Sequence, residues 1–346
     1  MWLVSVRDLL WRKRRFLIAV VSASLVFSLT LVLDGLTAHI GNEVARVVDR
    51  YDADTWIVAP GESGPFTAST LLPASLAADV ATLPGVEHAE AMIAGRDTID
   101  GKWVNVLGYD DGGNVEKTPL TSGRMPVGPG EVVVEDILGH RLGDTIAVGG
   151  ELFVVVGVAH GLAFNFGAPT VLMPVAEVQR VLLGGQPLIG AVAVTGTPTT
   201  IPPGVRSMTS AAVEADMHLG MDQSLQIVTI LDGLLWVIAA AIIASMVYLS
   251  TLERIRDFAV MKAIGVSNRS LRLGLAASSL LLAVMAAIGG TILAFFLGPR
   301  FPMEIETPTS SYATLLAVAV VVGLVAGFIG LRKAVRVDPA LAFGGS

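Results

Sequence analysis

Long apolar runs alternate with polar segments along the chain, and they predict four membrane-spanning helices. Each run holds at least 20 residues, about the number that a helix needs to cross roughly 30 Å of hydrocarbon. No small-x-small cleavage site follows the first run, so we expect it to stay as an anchor rather than to be removed as a signal peptide. The predicted spans cover residues 16–38, 226–250, 271–298 and 312–331.

Shorter polar segments lie outside these spans. Residues 1–15 combine apolar positions with a basic cluster that begins at Arg12, which predicts a cytoplasmic interfacial helix. An external loop, 299–311, joins the last two spans, and a basic cytoplasmic tail, 332–346, follows the fourth. Within the fourth span, Gly323 and Gly327 form a GxxxG pattern that lets another helix of the bundle approach closely.

Residues 39–225, between the first two spans, predict one extracytoplasmic domain of mixed α+β type with its stalks. Gly- and Pro-rich turns separate short runs of apolar and β-branched residues that are typical of strands. Helical patterns occupy 74–83 and 174–183, and Pro174 stands at a first-turn position that tolerates proline. The predicted strands are 55–58, 103–107, 131–134, 145–148, 152–158, 170–173 and 191–195.

Helical spacing continues past the outer ends of the first two spans. Apolar residues recur there every three or four positions, as on one face of a helix, and predict two helical stalks beside the domain. Such stalks either transmit movement or only hold the domain away from the lipid, and both interpretations stay open. The apolar positions are Ile40, Val44, Val47, Val48 and Tyr51 in the first stalk, and Val213, Met217, Met221 and Leu225 in the second.

The segment 251–270, between the second and third spans, has the pattern of an amphipathic helix. Gly265 is placed to end this helix. A short helix of this kind either lies on the lipid headgroups or offers a docking site to a soluble partner. Its apolar side is formed by Leu252, Ile255, Phe258, Ala259 and Ala263, and its charged side by Glu253, Arg256 and Asp257.

The same segment resembles part of a known family. The pair Glu253-Arg254 and the run Phe258–Gly265 (FAVMKAIG) are similar to the cytoplasmic loop of the FtsX-like, MacB-type permeases. In that family the loop lies between the second and third spans and is the coupling helix received by the ATPase of an ABC-type complex. The resemblance extends to the tail, with Asp338-Pro339-Ala340, and to the MacB-like periplasmic core domain, through 83–86, 123–134, 143–145 and 154–158.

The resemblance implies a permease subunit that is not itself an enzyme. A separate ABC ATPase would bind ATP and Mg²⁺, and its hydrolysis of ATP would drive export, extraction of a substrate or mechanotransmission. The family also implies a homodimer among membrane lipids, and a further protein partner outside the membrane stays open. The residues carried over as ATPase contacts are Glu253, Arg254, Phe258, Lys262 and Gly265.

Composition and charge agree with a membrane protein. The chain is 53% hydrophobic and its mean hydropathy is +0.69. The segments assigned to the cytoplasm, counted with Arg272 at the cytoplasmic start of the third span, carry 13 basic and 4 acidic residues, whereas the whole chain has a net charge of −7. By the positive-inside rule, this asymmetry predicts a multi-pass protein of the bacterial plasma (inner) membrane with both termini in the cytoplasm. Because the basic residues flank spans and form no separate patch, nucleic acid is not an expected partner.

No catalytic or cofactor motif is recognisable. The sequence contains no GxxxxGK[ST] loop, so the chain is not expected to be the ATPase itself, and no GxSxG nucleophile elbow. Its five histidines are scattered and form no HExxH motif, which argues against a metal site. The lack of cysteine excludes disulfides and thiol chemistry, so the domain must be stable through its own core.

Two acidic residues lie near the outer ends of the first two spans. Asp34 and Asp232 are placed at similar predicted depth. Charge inside a span is costly and therefore marks a candidate functional group. The two carboxylates either line a substrate entrance, form a pair for proton transfer, or lie at the headgroup level where water solvates them.

Two functions compete on this sequence. The first is a permease subunit that couples ATP hydrolysis by a partner to movement of its stalks and domain. The alternative is an FtsX-like signalling scaffold whose domain activates an extracellular cell-wall hydrolase. An amino-acid uptake permease is disfavoured by the large domain between the first two spans, and a membrane enzyme by the lack of a catalytic constellation. The sequence does not indicate the substrate.

Overall fold

The computed structural model describes residues 13–61, 63–67, 70–253, 260, 267–301 and 305–335. The chain divides into two compact units. One unit, the helical unit, is formed by the residues up to His39 together with those from Leu225 onwards. The other, Ile40–Ser224, is the α+β domain.

Six helices are described in chain order. They are α1 (Lys13–Asp49), α2 (Ser75–Ala81), α3 (Val175–Leu182), α4 (Ser210–Glu253), α5 (Asn268–Leu297) and α6 (Thr309–Val335). Helix α4 passes through Ser250 without a break and reaches Glu253, since no Gly or Pro interrupts it there. Helix α5 begins inside the predicted coupling segment 251–270, at Asn268.

Three of the described helices are long and apolar enough to cross a membrane. The segments concerned are Leu17–Asp49, Ser224–Met246 and Ala276–Arg300. Thr309–Val325 in α6 is a shorter apolar segment among the described residues. Candidate membrane helices therefore precede and follow the domain along the chain, as predicted, and the fourth span stays a prediction.

Small residues let the helices of the helical unit approach one another. A side chain at Gly290 of α5 would have its Cβ 2.7 Å from Cβ of Phe27 in α1, and Ser24 donates a hydrogen bond to the carbonyl of Ala286 at 3.0 Å. Gly323 of α6 packs in the same way against α5, where a Cβ would lie 3.1 Å from Cα of Leu280. Close approach at Gly323 thus occurs within one chain, as expected for packing inside the bundle.

Twelve strands are found among the described residues of the α+β domain. They are β1 (Thr55–Val58), β2 (Leu72–Pro73), β3 (Val86–Ile99), β4 (Lys102–Tyr109), β5 (Leu120–Gly123), β6 (Glu131–Glu135), β7 (Thr145–Val148), β8 (Glu151–Ala159), β9 (Thr170–Pro174), β10 (Leu188–Ile189), β11 (Ala191–Gly196) and β12 (Arg206–Thr209).

Ten of these strands form one sheet, in the order β12-β1-β11-β3-β4-β9-β6-β8-β5, with β7 paired to β8. The pairs β4/β9 and β6/β8 are parallel, and β2 pairs separately with β10. Helices α2 and α3 pack on β3 and β4. Their side chains Val80 and Val178 belong to one buried core with Ile57, Val106, Val134 and Phe153.

All seven predicted strands and both predicted helices of the domain are confirmed, with ends that differ by at most two residues. The prediction missed five described strands, β2, β3, β5, β10 and β12, of which β3 is the longest. Its residues Ala89, Glu90, Ala91 and Arg96 give it low intrinsic strand propensity. Pairing with β11 on one side and β4 on the other stabilises the strand instead.

Candidate functional site

The end of α1 and the start of α4 meet at one edge of the α+β domain. Strand β1 follows α1, β12 directly precedes α4, and the two strands pair with Thr55 opposite Thr209. Trp56 of β1 is fully buried and donates from its indole Nε1 to Ser210 Oγ of α4 at 3.0 Å. Ser210 in turn donates to the carbonyl of Ala53, in the turn after α1. We call this arrangement the helix junction.

Aromatic rings surround the helix junction. The Trp56 ring makes edge contacts with Tyr51 and Phe66, with centroid distances of 5.2 and 5.7 Å. Phe66 also contacts Phe164 at 5.8 Å. Edge-to-face pairs of buried rings add stabilisation beyond the area they bury, so this cluster holds the end of α1 firmly.

A second contact attaches α4 to the domain. Asp216, in the second turn of α4, accepts hydrogen bonds from the backbone N–H of Gly64, at 2.8 Å, and from the Thr67 hydroxyl. A Cβ at Gly64 would lie only 2.8 Å from this carboxylate, so a larger residue would displace the Asp216 side chain. Of the four apolar positions of this stalk, Val213, Met217 and Met221 are buried and Leu225 is half-buried.

The outer end of α1 is attached to the domain through hydrogen bonds to the segment Gly161–Thr170. Glu43 accepts the N–H of Gly167 at 3.1 Å, and Arg50, just past the helix, donates to the Gly161 carbonyl at 3.1 Å. Asn165 and Phe166 in this segment have positive φ angles of 58° and 63°. Non-glycine residues adopt this conformation only when surrounding contacts hold them there.

Buried polar side chains of the sheet supply those contacts. Glu135 of β6 is fully buried and accepts the N–H groups of Leu162, Ala163 and Thr170 at 2.8, 2.7 and 3.0 Å. Burial raises the pKa of Glu135, and the three N–H donors oppose this effect. Asn105 of β4 donates to the carbonyls of Phe164 and Ala168.

The two acids predicted near the membrane surface come together in the helical unit. Asp34 and Asp232 both line a cavity of about 340 Å³, together with Thr37, Thr229 and Ser311. Asp34 is hydrogen-bonded to Ser311, and Asp232 accepts the indole N–H of Trp236 at 3.0 Å. The hydroxyls of Thr37 and Thr229 donate to carbonyls one turn earlier, so these two groups are not free to donate into the cavity.

The predicted ATPase contacts lie mostly outside the described residues. Glu253 is the last residue of α4, whereas Arg254, Phe258, Lys262 and Gly265 are not described. Their role as a coupling surface stays a prediction. In the described part of the chain, no group of three or more His, Cys, Asp or Glu side chains is arranged to hold a metal ion.

Comparison with known families decides which class of membrane protein this is. A model of the MacB-like periplasmic core domain matches residues 17–211, and a model of the FtsX-like permease C-terminal region matches residues 230–339. An uncharacterized ABC transporter permease of Mycobacterium tuberculosis is 38% identical over 100% of both chains. The chain belongs to the MacB/FtsX-type family of ABC transporter permeases. This confirms the family predicted from the loop, the tail and the domain motifs.

A further relative and a solved structure are similar to this MacB/FtsX-type permease. A second uncharacterized ABC transporter permease of M. tuberculosis is 37% identical over 100% of both chains. The solved periplasmic region of MacB from Actinobacillus actinomycetemcomitans matches 51% of this chain and 97% of that chain, with 15% identity and a TM-score of 0.35. The family implies an ATPase partner, and with the membrane helices it points to an inner-membrane protein.

Several polar residues of this permease were not singled out from its sequence. Ser210, Asp216 and Glu135 bond to segments more than 25 residues away along the chain. Of these three residues, only Glu135 has a distinctive place in the sequence, because it is an acid that directly follows the apolar strand residues Val132–Val134. Acids at strand ends are usually solvated, however, and nothing local marks this one as buried.

Proposed function

We propose that this MacB/FtsX-type permease couples ATP hydrolysis by a separate ATPase subunit to movement of its α+β domain. The observation that carries the proposal is the course of two helices. Each of α1 and α4 contains a candidate span and continues without a break into the α+β domain. Because every turn of such a helix is hydrogen-bonded to the next, displacement at its membrane end is passed on to the domain.

The contacts at the outer ends of the two helices support this proposal. The helix junction links both helices to each other through Trp56 and Ser210. Asp216 and Glu43 fasten them to separate loops of the domain. Movement of either helix would therefore displace the sheet edge rather than bend a loose linker. The movement would serve export, extraction of a substrate or mechanotransmission.

On the cytoplasmic side, the segment 251–270 is our candidate for the surface received by the ATPase. Phe258 would fill an apolar cleft of that partner, with Glu253 and Arg254 setting its orientation. Lys262 would pair with an acidic group of the partner, and Gly265 would end the helix. In this arrangement α6 is the fourth span, both termini are cytoplasmic, and two copies of the chain bind two ATPase subunits.

The predicted ATPase contact is tested by co-purification. We expect an ABC ATPase to co-purify with the tagged full-length chain from its native membrane in mild detergent, and we expect Phe258→Ala to abolish both the ATPase protein and its activity in the eluate. Phe301→Ala is the matched control, because Phe301 is exposed on the loop at the opposite predicted side. Equal retention of the ATPase by both variants would contradict the assignment of Phe258.

Transmission through α1 is tested at Gly41, where a Cβ would meet nothing within 4 Å. Gly41→Pro removes one helix hydrogen bond and clashes with the carbonyl four residues earlier, whereas Gly41→Ala leaves the helix intact. Cysteines at the exposed positions Val127 and Leu273 can carry distance labels, since the chain has no cysteine of its own.

In the reconstituted complex, we expect ATP and Mg²⁺ to change the distance between the two labels in the parent chain and in Gly41→Ala. Gly41→Pro is expected to abolish that change while the ATPase remains bound, because the break separates the membrane end of α1 from the domain. An unaltered ATP-dependent change in Gly41→Pro would show that α1 does not transmit the movement.

A further inference from the structure

A buried acid lies beside the end of α1 and plays no part in the helix junction. Glu90 of β3 is only 1% exposed. One of its oxygens accepts the N–H of Asn114 at 2.9 Å. The other has no partner with hydrogen-bonding geometry among the described residues. Burial is the main cause that raises the pKa of Glu90 from 4.5 to about 7.

The chain segment Asp110–Val115 wraps tightly around this carboxyl group. A Cβ at Gly113 would lie 2.1 Å from Glu90 Oε1, so no side chain separates the backbone from the acid. Asp110, at the start of the segment, accepts the N–H of Ala91 at 3.2 Å, and its charge raises the pKa of Glu90 further. The backbone N–H groups of the segment act in the opposite direction.

The segment also reaches the end of α1. Asn114 donates from its side chain to the carbonyl of Tyr51 at 3.1 Å, two residues past the helix. The Tyr51 hydroxyl is buried and has no hydrogen-bond partner in the part of the chain that the structure describes. Burial, and next the charge of Glu90, raise the pKa of Tyr51.

Other charged side chains of this region form hydrogen bonds with groups other than Glu90. Lys117 donates to the exposed side of Asn114, Glu116 accepts the N–H of Gly112, and Arg50 donates to Thr118 and Gly161. The residue opposite Glu90 on β11 is Ala193. No described lysine, arginine or histidine forms a salt bridge with Glu90, so only backbone N–H groups would stabilise an ionised carboxylate there.

We propose that Glu90 is a pH-sensitive switch that controls how firmly the segment Asp110–Val115 is held against the end of α1. When the Glu90 carboxyl group is neutral, the segment closes over it. The carboxyl O–H can then donate a hydrogen bond to an adjacent buried oxygen atom. With an ionised carboxylate, the charge needs water, and the segment opens to admit it. The switch responds to the pH of the compartment that holds the α+β domain.

The direction of the effect follows from linkage. An acid whose pKa is raised in the closed arrangement favours that arrangement below its unperturbed pKa, and the contribution is lost as the pH rises through the raised value. For Glu90 this interval runs from 4.5 to about 7. The equilibrium constant for opening is therefore expected to increase roughly 10- to 100-fold between pH 5 and pH 8.

Hydrogen exchange of the full-length protein in detergent measures this opening. Peptides that cover 110–117 and 51–58 are expected to lose protection between pH 5 and pH 8, after correction for the intrinsic exchange rates. Glu90→Gln, which is uncharged at every pH, is expected to keep both peptides protected throughout. Glu131→Gln is the matched control: Arg124 lowers the pKa of Glu131 to about 2, so this variant should retain the pH dependence.

Two results would overturn the proposal: a parent protein whose protection does not change with pH, or a Glu90→Gln variant with the same dependence as the parent. If Glu90→Gln fails to fold, Asp110→Asn supplies the second test. Removing the charge of Asp110 lowers the pKa of Glu90, so the midpoint of opening should move to lower pH. A midpoint that stays in place, or moves upward, would count against Glu90 as the titrating group.

Discussion

Glu135→Ala is expected to release the segment Gly161–Thr170 and to lower the free energy of unfolding of the α+β domain by about 3–5 kcal/mol. The carboxylate is fully buried and accepts three backbone N–H groups. Its removal leaves those donors without a partner in the interior, at a cost of about 1–3 kcal/mol each before relaxation. Hydrogen exchange should show the amides of Leu162, Ala163 and Thr170 losing protection first.

Two further variants test whether the three N–H bonds to Glu135 account for this loss of stability. Glu135→Gln keeps one acceptor oxygen but places an NH₂ group against an N–H donor, so it should destabilise the domain less than alanine but still clearly. Asp136→Ala removes the neighbouring acid, which is half exposed and pairs with His160 at 2.9 Å, and it should change stability by less than about 1 kcal/mol. Equal losses for Glu135→Ala and Asp136→Ala would contradict the role given to the three N–H bonds.

Trp56→Ala is expected to cost about 3–5 kcal/mol and to weaken the attachment of α4 to the domain. The indole is fully buried, contacts two aromatic rings and donates to Ser210. Alanine leaves a cavity at the helix junction, and Ser210 loses the donor that orients it. Thermal unfolding of the full-length protein in detergent, followed by circular dichroism, should show a lower Tm, with faster amide exchange at the start of α4.

A double-mutant cycle separates packing from hydrogen bonding at this site. Trp56→Phe keeps an aromatic ring but removes the indole N–H, and Ser210→Ala removes its acceptor. If the bond links β1 to α4, the two changes should be non-additive by about 1 kcal/mol. Trp103→Ala is the matched control, because Trp103 is 71% exposed and its loss should fall within about 0.5 kcal/mol.

Local sequence patterns were sufficient for the regular elements whose residues carry their own preference. The β-branched residues of Glu131–Glu135 and Thr145–Val148 have high strand propensity, and the structure forms strands there. The apolar face of the first stalk was likewise predictable, because Val44, Val47 and Val48 recur at helical spacing, and these residues are buried. The alanine-rich β3 was not predicted, because its own residues favour a strand only weakly. Pairing with the adjacent β4 and with β11, which is distant in sequence, stabilises it.

The candidate sites could be predicted from the sequence only in part. Asp34 and Asp232 could be placed at similar depth by counting along two apolar runs, and the structure brings them to one cavity. Glu90 and Glu135 look like ordinary strand acids in the sequence. Their burial is created by backbone groups more than 20 residues away, and no local pattern encodes contacts of that kind.

The pairing of β1 with β12 has a consequence for the evolution of this family. The two connections of the α+β domain leave it from neighbouring strands, so the ends of residues 54–209 lie side by side. Inserts with adjacent ends are readily gained, lost or exchanged, since the flanking helices need not move apart to accommodate them. The α+β domain can therefore be exchanged by recombination at these two points without a change in the spacing of the chain ends that receive it.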